Sequence, residues 1–175
     1  MKKVLVVTST SSLLHNSGVA FDYLKSCIGD KSDIFICDKE KFYDCSGCLM
    51  CNTDGVCHKK DNVTNVLKEK YTDFIFICPA YFFDIKADIS RFIDRMYFCN
   101  LKNVNFHFLI FTGSIAENSG IDCIKHRFKS IDDYCGTHTT IRQVVTGDRI
   151  LSINSYNDRL HEIIKEVYSN ENSPT

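Results

Sequence analysis

Phe74-Ile75-Phe76-Ile77-Cys78-Pro79-Ala80-Tyr81-Phe82-Phe83, together with the Ile85–Phe98 stretch that follows, decides how this sequence is read. The first five residues are a continuous apolar run with the length and composition of a strand buried on both faces. Pro79 removes a backbone donor and fixes a turn. Beyond the loop, Ile85, Ile89, Phe92, Ile93 and Met96 fall at i, i+4, i+7, i+8 and i+11, one apolar stripe of a helix that must pack on a sheet.

Working outward, runs of the same kind recur at Val4–Val7, Ile34–Cys37, Phe106–Phe111 and Thr140–Val145, which makes five predicted strands. Helical periodicity lies between and after them at Val19–Ile28, Asn62–Lys70, Ile121–Tyr134 and Ser155–Tyr168. Strands alternating with helices imply parallel pairing through right-handed crossovers: a doubly wound α/β fold, helices on both faces of the sheet. At 175 residues and 44% hydrophobic composition the chain holds one core, so residues 1–175 are read as a single domain without internal repeat or linker. Asn170–Thr175 is polar enough to be a frayed tail.

Charge and cysteine content narrow the function. Lys+Arg 21 against Asp+Glu 22 leaves no basic stripe for a nucleic acid. No window approaches the ~18 consecutive apolar residues of a membrane span. Lys2 and Lys3 precede an apolar stretch shorter than the ~7–15 residues of a secretory signal, so a cytoplasmic location is expected. Ten cysteines in a reducing compartment point to metal ligation or redox chemistry.

In such a sheet a ligand sits beyond the carboxyl ends of the strands. After the first strand comes Thr8-Ser9-Thr10-Ser11-Ser12, and Asn16-Ser17-Gly18 leads into the first helix at Val19. Hydroxyls and backbone N–H groups at a helix N-terminus receive a phosphomonoester without a positive side chain. The plainer alternative is a solvated loop with Ser17 as N-cap and His15 in water. After the third strand, backbone N–H groups and the rings of Tyr81, Phe82 and Phe83 can line a flat heteroaromatic ring, or belong to core or interface. Asp94 and Arg95 read as structural, ordinary helix-surface or interface charges. G-x-x-x-x-G-K-[ST] and G-x-G-x-x-G are absent, which removes the P-loop and disfavours a dinucleotide-binding loop. Thr8 and Ser9 stand where a response regulator needs acids, and no cysteine is followed six positions later by arginine, as a tyrosine phosphatase requires.

The most specific motif is Cys45-Ser46-Gly47-Cys48-Leu49-Met50-Cys51-Asn52-Thr53-Asp54-Gly55-Val56-Cys57, a C-x2-C-x2-C-x5-C run. Three thiolates at steps of three residues, with Gly47 and Gly55 permitting tight turns, can wrap an inorganic cube. Structural zinc fits this spacing less well, and a redox disulfide is a further reading. His58, with Lys59 and Lys60, reads as a solvated rim. Cys27, Cys37, Cys78, Cys99, Cys123 and Cys135 read as small buried hydrophobes.

Pro79-Ala80-Tyr81-Phe82 followed by Phe92-Ile93-Asp94-Arg95 resembles the P-x-Y-F…F-I-D-R segment of the NADPH-dependent FMN reductase and iron–sulfur flavoprotein families. The resemblance covers most of the chain, and implies a flavodoxin-like three-layer sandwich with a five-stranded parallel sheet in the order 2-1-3-4-5. It maps the FMN-phosphate loop, G-S-P-R…G-N-T in those families, onto Ser9 through Val19, with Ser9, Ser11, Asn16, Ser17, Gly18 and Val19 as candidate contacts; the chain keeps the serine and lacks the Gly, Pro and Arg. It places the flavin against Pro79, Ala80, Tyr81, Phe82 and Phe83, with a further contact at Thr112-Gly113-Ser114. Cys45, Cys48, Cys51 and Cys57 match the ligands of a [4Fe-4S] cluster, although some FMN reductases carry such a loop without one. The implied activity is electron transfer through FMN, between an NAD(P)H or ferredoxin donor and an acceptor, in a homodimer or dimer of dimers. With the flavin ring as hydride acceptor no catalytic side chain is nominated. The alternative is a non-enzymatic electron carrier, or a thiol or metal sensor.

Overall fold

The computed structural model describes residues 2–55, 57–114, 119–147 and 149–168. Val4–Thr8 (β1) leads through a hydroxyl-rich loop to Asn16–Ile28 (α1) and Asp33–Ile36 (β2). The cysteine-rich segment follows and contains only Cys51–Asp54 (α2) before Asn62–Leu67 (α3). Next come Asp73–Tyr81 (β3), the two-residue Asp84–Ile85 (β4), Ala87–Asp94 (α4) and a 3₁₀ turn at Arg95–Phe98. Asn105–Thr112 (β5), Ile121–Cys135 (α5), His138–Val145 (β6) and Asn157–Tyr168 (α6) complete the chain. The proposed frayed tail lies outside the described residues.

The five long strands pair in parallel in the order β2-β1-β3-β5-β6, which is the expected 2-1-3-4-5 with one extra strand in the numbering. That extra strand, β4, turns back antiparallel on the end of β3, Ala80 opposite Ile85. Ile85 therefore opens no helix; it still belongs to the buried stripe with Ile89, Phe92, Ile93 and Met96. Lys86 N–H donates to the Pro79 carbonyl, and α4 starts only after that closure.

Side chains alternate across the strands and build two cores. Leu5, Val7, Phe74, Phe76, Phe106 and Phe108 face α3, α4 and α5, where Phe76 and Phe108 stack at 4.6 Å and Phe108 meets Phe128 at 4.4 Å. Val4, Val6, Ile75, Ile77, Leu109 and Phe111 face α1 and α6. Of the lone cysteines, Cys37 and Cys78 are buried, while Cys27 and Cys123 are exposed on α1 and α5, contrary to the expectation of burial. Both flank the buried stripes of their helices, Leu24 and Ile28 on α1 and Ile121, Ile124 and Phe128 on α5.

Candidate functional site

A cleft of about 750 Å³ opens at the carboxyl edge of the sheet, between the loops that follow β1, β3, β5 and β6. Its polar wall is the first loop. Thr8 Oγ1 donates to the Thr10 carbonyl at 2.9 Å, Thr10 Oγ1 accepts from Ser12 N–H at 3.1 Å, and Ser12 Oγ accepts from Leu14 N–H at 3.3 Å. These hydroxyls hold the loop to itself. Ser9 is different: it is fully buried, lines the cleft, and its Oγ has no partner among the described residues. A buried hydroxyl without a partner is costly unless a ligand completes it. Beside it begins α1, whose N-cap His15 makes no side-chain hydrogen bond; Gly18 N–H donates to the His15 carbonyl at 3.0 Å, which leaves the N–H groups of Asn16 and Ser17 to face a ligand with negative charge.

Asn16 and Ser17 line this wall as expected, with the helix beginning three residues earlier than periodicity suggested. Asn16 does so with its side chain already committed: Nδ2 donates to the Arg149 carbonyl and Oδ1 accepts from Leu151 N–H, both at 2.7 Å. Ser11, Gly18 and Val19 do not line the cleft. Gly18 acts indirectly, because a Cβ there would come within 1.9 Å of the Ser12 carbonyl oxygen. The loop can fold back on α1 only over a residue without a side chain.

The opposite wall is apolar and formed by Pro79, Ala80, Tyr81, Phe82 and Phe83. Phe82 and Phe83 both have left-handed backbone, φ 50° and 70°, and Phe82 is 97% exposed. Two successive bulky residues in this region store strain of about 1–3 kcal/mol each and are held by their surroundings. One support is Gly120, whose missing Cβ would stand 2.4 Å from Phe83 Cα. Thr112 and Gly113 line the floor. Gln143 Nε2 braces it, donating to Thr112 Oγ1 at 2.8 Å and Ser119 Oγ at 3.2 Å.

Sequence reasoning missed Lys86, Ser119, Thr146, Arg149 and Ile150, which also line the cleft. The signal for the last three was topological: the loop after the final strand opens on the same sheet edge as the loops after the first and third.

The four cysteines of the 45–57 run line a second pocket of about 690 Å³, on the Phe-rich side, against Ile93, Met96, Leu101, Phe106, Ile131 and Tyr134. Cys45 and Cys48 are exposed and Cys51 and Cys57 half-buried. A backbone hydrogen bond at Met50 pulls the Cys48 thiol below the ordinary range, whereas burial pushes Cys51 up. Among the described residues no three His, Cys, Asp or Glu side chains converge as ligands of one metal ion. His58 pairs with Asp54 at 2.7 Å on the rim.

The neck of this loop is closed by a charge that sequence reasoning placed on the surface. Arg95 is 1% exposed and bonds Asp61 Oδ2 and the Tyr43 carbonyl, each at 2.7 Å, and Asp61 Oδ1 at 3.1 Å. The 3₁₀ turn that follows α4 rotates it inward, beside Met96. Asp61 also accepts from Tyr43 N–H and caps α3 by accepting from Thr64 N–H, both at 2.9 Å. Burial works to raise the Asp61 carboxyl, but these donors hold it down at about 2. Arg91 adds contacts to Asp44 and the Phe42 carbonyl. Asp94 is exposed, as expected.

The comparisons with known proteins bear on fold. An NADH:FMN oxidoreductase in its apo form superimposes with a TM-score of 0.64 at 11% identity, covering 99% of this chain and 92% of its own. General stress protein 14 from Treponema denticola, in complex with FMN, gives 0.61 at 10% over 97% and 99%. A flavodoxin from Streptococcus pneumonia TIGR4 gives 0.56 at 13% over 97% and 99%. The fold is flavodoxin-like. No protein-family model and no curated protein matches the chain.

Proposed function

We propose that this flavodoxin-like chain is an FMN-dependent oxidoreductase that binds its cofactor in the cleft at the carboxyl edge of the sheet. The observation that carries the reading is the buried, unpartnered Ser9 Oγ beside the uncapped N-terminus of α1, opposite an apolar aromatic wall. One end of the cleft suits an anionic phosphate and the other a flat ring, and FMN has both. An NADH:FMN oxidoreductase and an FMN complex among the superimposed structures support the same choice.

When bound, FMN supplies hydride and single-electron transfer at its ring. Ser9 and the first N–H groups of α1 hold the phosphate, and Ser17 adds a hydroxyl at the same wall. Tyr81, Phe82 and Phe83 would shield a bound ring from water, Phe83 being packed on Gly120 and paired with Phe82 at 6.0 Å. Thr112 and Gly113, braced by Gln143, bound the ring on the floor of the cleft. Electrons arrive from NAD(P)H or a ferredoxin-type protein and leave to a small-molecule or protein acceptor.

The cysteine pocket is a second part of this proposal. Four thiols on one pocket wall, beside a buried Arg95 whose Nε lacks an acceptor, are a donor set chemically suited to a [4Fe-4S] cluster held by Cys45, Cys48, Cys51 and Cys57. Such a group would supply one-electron storage within the same domain.

The test is an anaerobic preparation reconstituted with FMN, then with iron and sulfide, and exposed to NADH or NADPH. Bleaching of the flavin bands with turnover on adding an acceptor is expected for an oxidoreductase. Flavin reduced by dithionite or reduced ferredoxin but by neither nicotinamide makes the chain a carrier. Absence of bound iron after reconstitution removes the cluster and leaves the FMN reading intact.

A further inference from the structure

The cleft presents hydroxyls and backbone N–H groups to a phosphate, yet residues 9–19 contain no lysine or arginine. Two cationic side chains other than histidine reach the cleft from elsewhere. Lys86 is committed, its Nζ bonded to Asp88 at 2.7 Å. Arg149 is exposed, and among the described residues its guanidinium has neither hydrogen bond nor ion pair.

Its backbone is held where that charge is useful. Asn16, the first residue of α1, bonds the Arg149 carbonyl and the Leu151 N–H with the two ends of one amide. Arg149 N–H donates to the Thr146 carbonyl, and Thr146 N–H in turn donates to Thr112 at 2.8 Å. The loop after β6 is thereby tied to the helix N-terminus at one side and to the cleft floor at the other. An arginine whose backbone is anchored beside the first turn of α1, lining a cleft where a buried hydroxyl has no partner among the described residues, has a phosphate as the natural acceptor of its guanidinium.

We propose that Arg149 is the phosphate-selecting residue of the cleft, supplying from the loop after β6 the positive charge that the first loop lacks. Asn16 is its positioning residue. The proposal rests on the FMN reading and adds a discrimination: FMN over riboflavin, which shares the ring and lacks the phosphate.

The experiment titrates the full wild-type chain, Arg149→Gln and Arg149→Lys with FMN and with riboflavin, following flavin fluorescence at low salt. A lost charge-assisted hydrogen bond corresponds to about 10- to 100-fold in affinity. Arg149→Gln is expected to weaken FMN by about that factor and leave riboflavin unchanged, with Arg149→Lys recovering part of the loss. Equal weakening of both flavins, or unchanged FMN affinity, overturns the assignment. Uptake of neither flavin by the wild-type chain overturns the cofactor reading and this assignment with it.

Discussion

The two pockets have nearly equal volumes, about 750 and 690 Å³, and opposite solutions to the same problem of what to do with polar groups near a core. At the sheet edge, the loop's hydroxyls bond their own backbone, and Ser9 Oγ remains buried with no partner among the described residues. In the cysteine pocket the buried charge is the paired group: Arg95 meets Asp61 at two oxygens, and the four thiols line the same pocket beside it. A site keeps unpaired what a ligand will complete and pairs what the scaffold needs. On the proposed reading the cleft is a ligand site on the sheet edge, whereas the cysteine loop is closed at its neck by the Arg95–Asp61 and Arg91–Asp44 ion pairs.

The sharpest way to break this contrast is at the clamp. Arg95→Met leaves Asp61 charged and buried, and a buried pair broken on one side costs about 3–5 kcal/mol. Urea unfolding is expected to show that loss, while FMN affinity measured below the transition stays at the wild-type value. A parallel collapse of FMN affinity would mean that the two pockets are one unit.

At the cleft, Gly18→Ala forces the Ser12 carbonyl away from α1, an overpacking that costs up to about 3 kcal/mol. Here the order reverses: FMN binding is expected to fail before the fold does, because the displaced segment adjoins Ser9. Preserved FMN affinity in a folded Gly18→Ala protein would contradict the first loop's role.

Acid tests the clamp without mutation. The folded Asp61 carboxyl, at about 2, lies below the 3.8 of an unperturbed aspartate, so its stabilisation is complete above about pH 4 and is lost as pH falls through about 2. The loss is about 2 kcal/mol and should be missing from Asp61→Asn, whose acid slope for urea unfolding is expected to be shallower by that amount, the depressed Asp73 carboxyl keeping its own share. A wild-type-like slope in Asp61→Asn would assign the acid sensitivity elsewhere.

The smallest effect belongs to the aromatic wall. Phe82 is almost wholly exposed, so Phe82→Ala should leave thermal stability within about 0.5 kcal/mol and weaken FMN by the worth of one ring contact, about 0.5–1.5 kcal/mol. No change in flavin affinity would move the ring away from this residue.

Much of the fold was legible because parallel strands buried on both faces read as unbroken apolar runs, as at Phe74–Cys78. The two-residue β4 was not, since neither its length nor its composition separates it from the helix whose stripe Ile85 continues. Arg95 was misread because an arginine one residue after an aspartate looks like solvent-facing charge; its partner Asp61 lies 34 positions away, a pairing that only the folded chain creates. Within the cleft, the loops after β1 and β3 were legible from their hydroxyls and rings. Arg149 was missed because nothing local marks an arginine in a loop, and Asn16 was read as a ligand contact when its amide is spent on the backbone that holds Arg149.

The central claim, that the cleft is an FMN site, is tested most directly by equilibrium titration of the wild-type chain with FMN, following quenching of flavin fluorescence to saturation. The account predicts one FMN bound per chain, with Ser9→Ala weakening it by about the worth of one hydrogen bond to a charged group, 1.5–3 kcal/mol. No saturable uptake with FMN in excess over folded protein would contradict it.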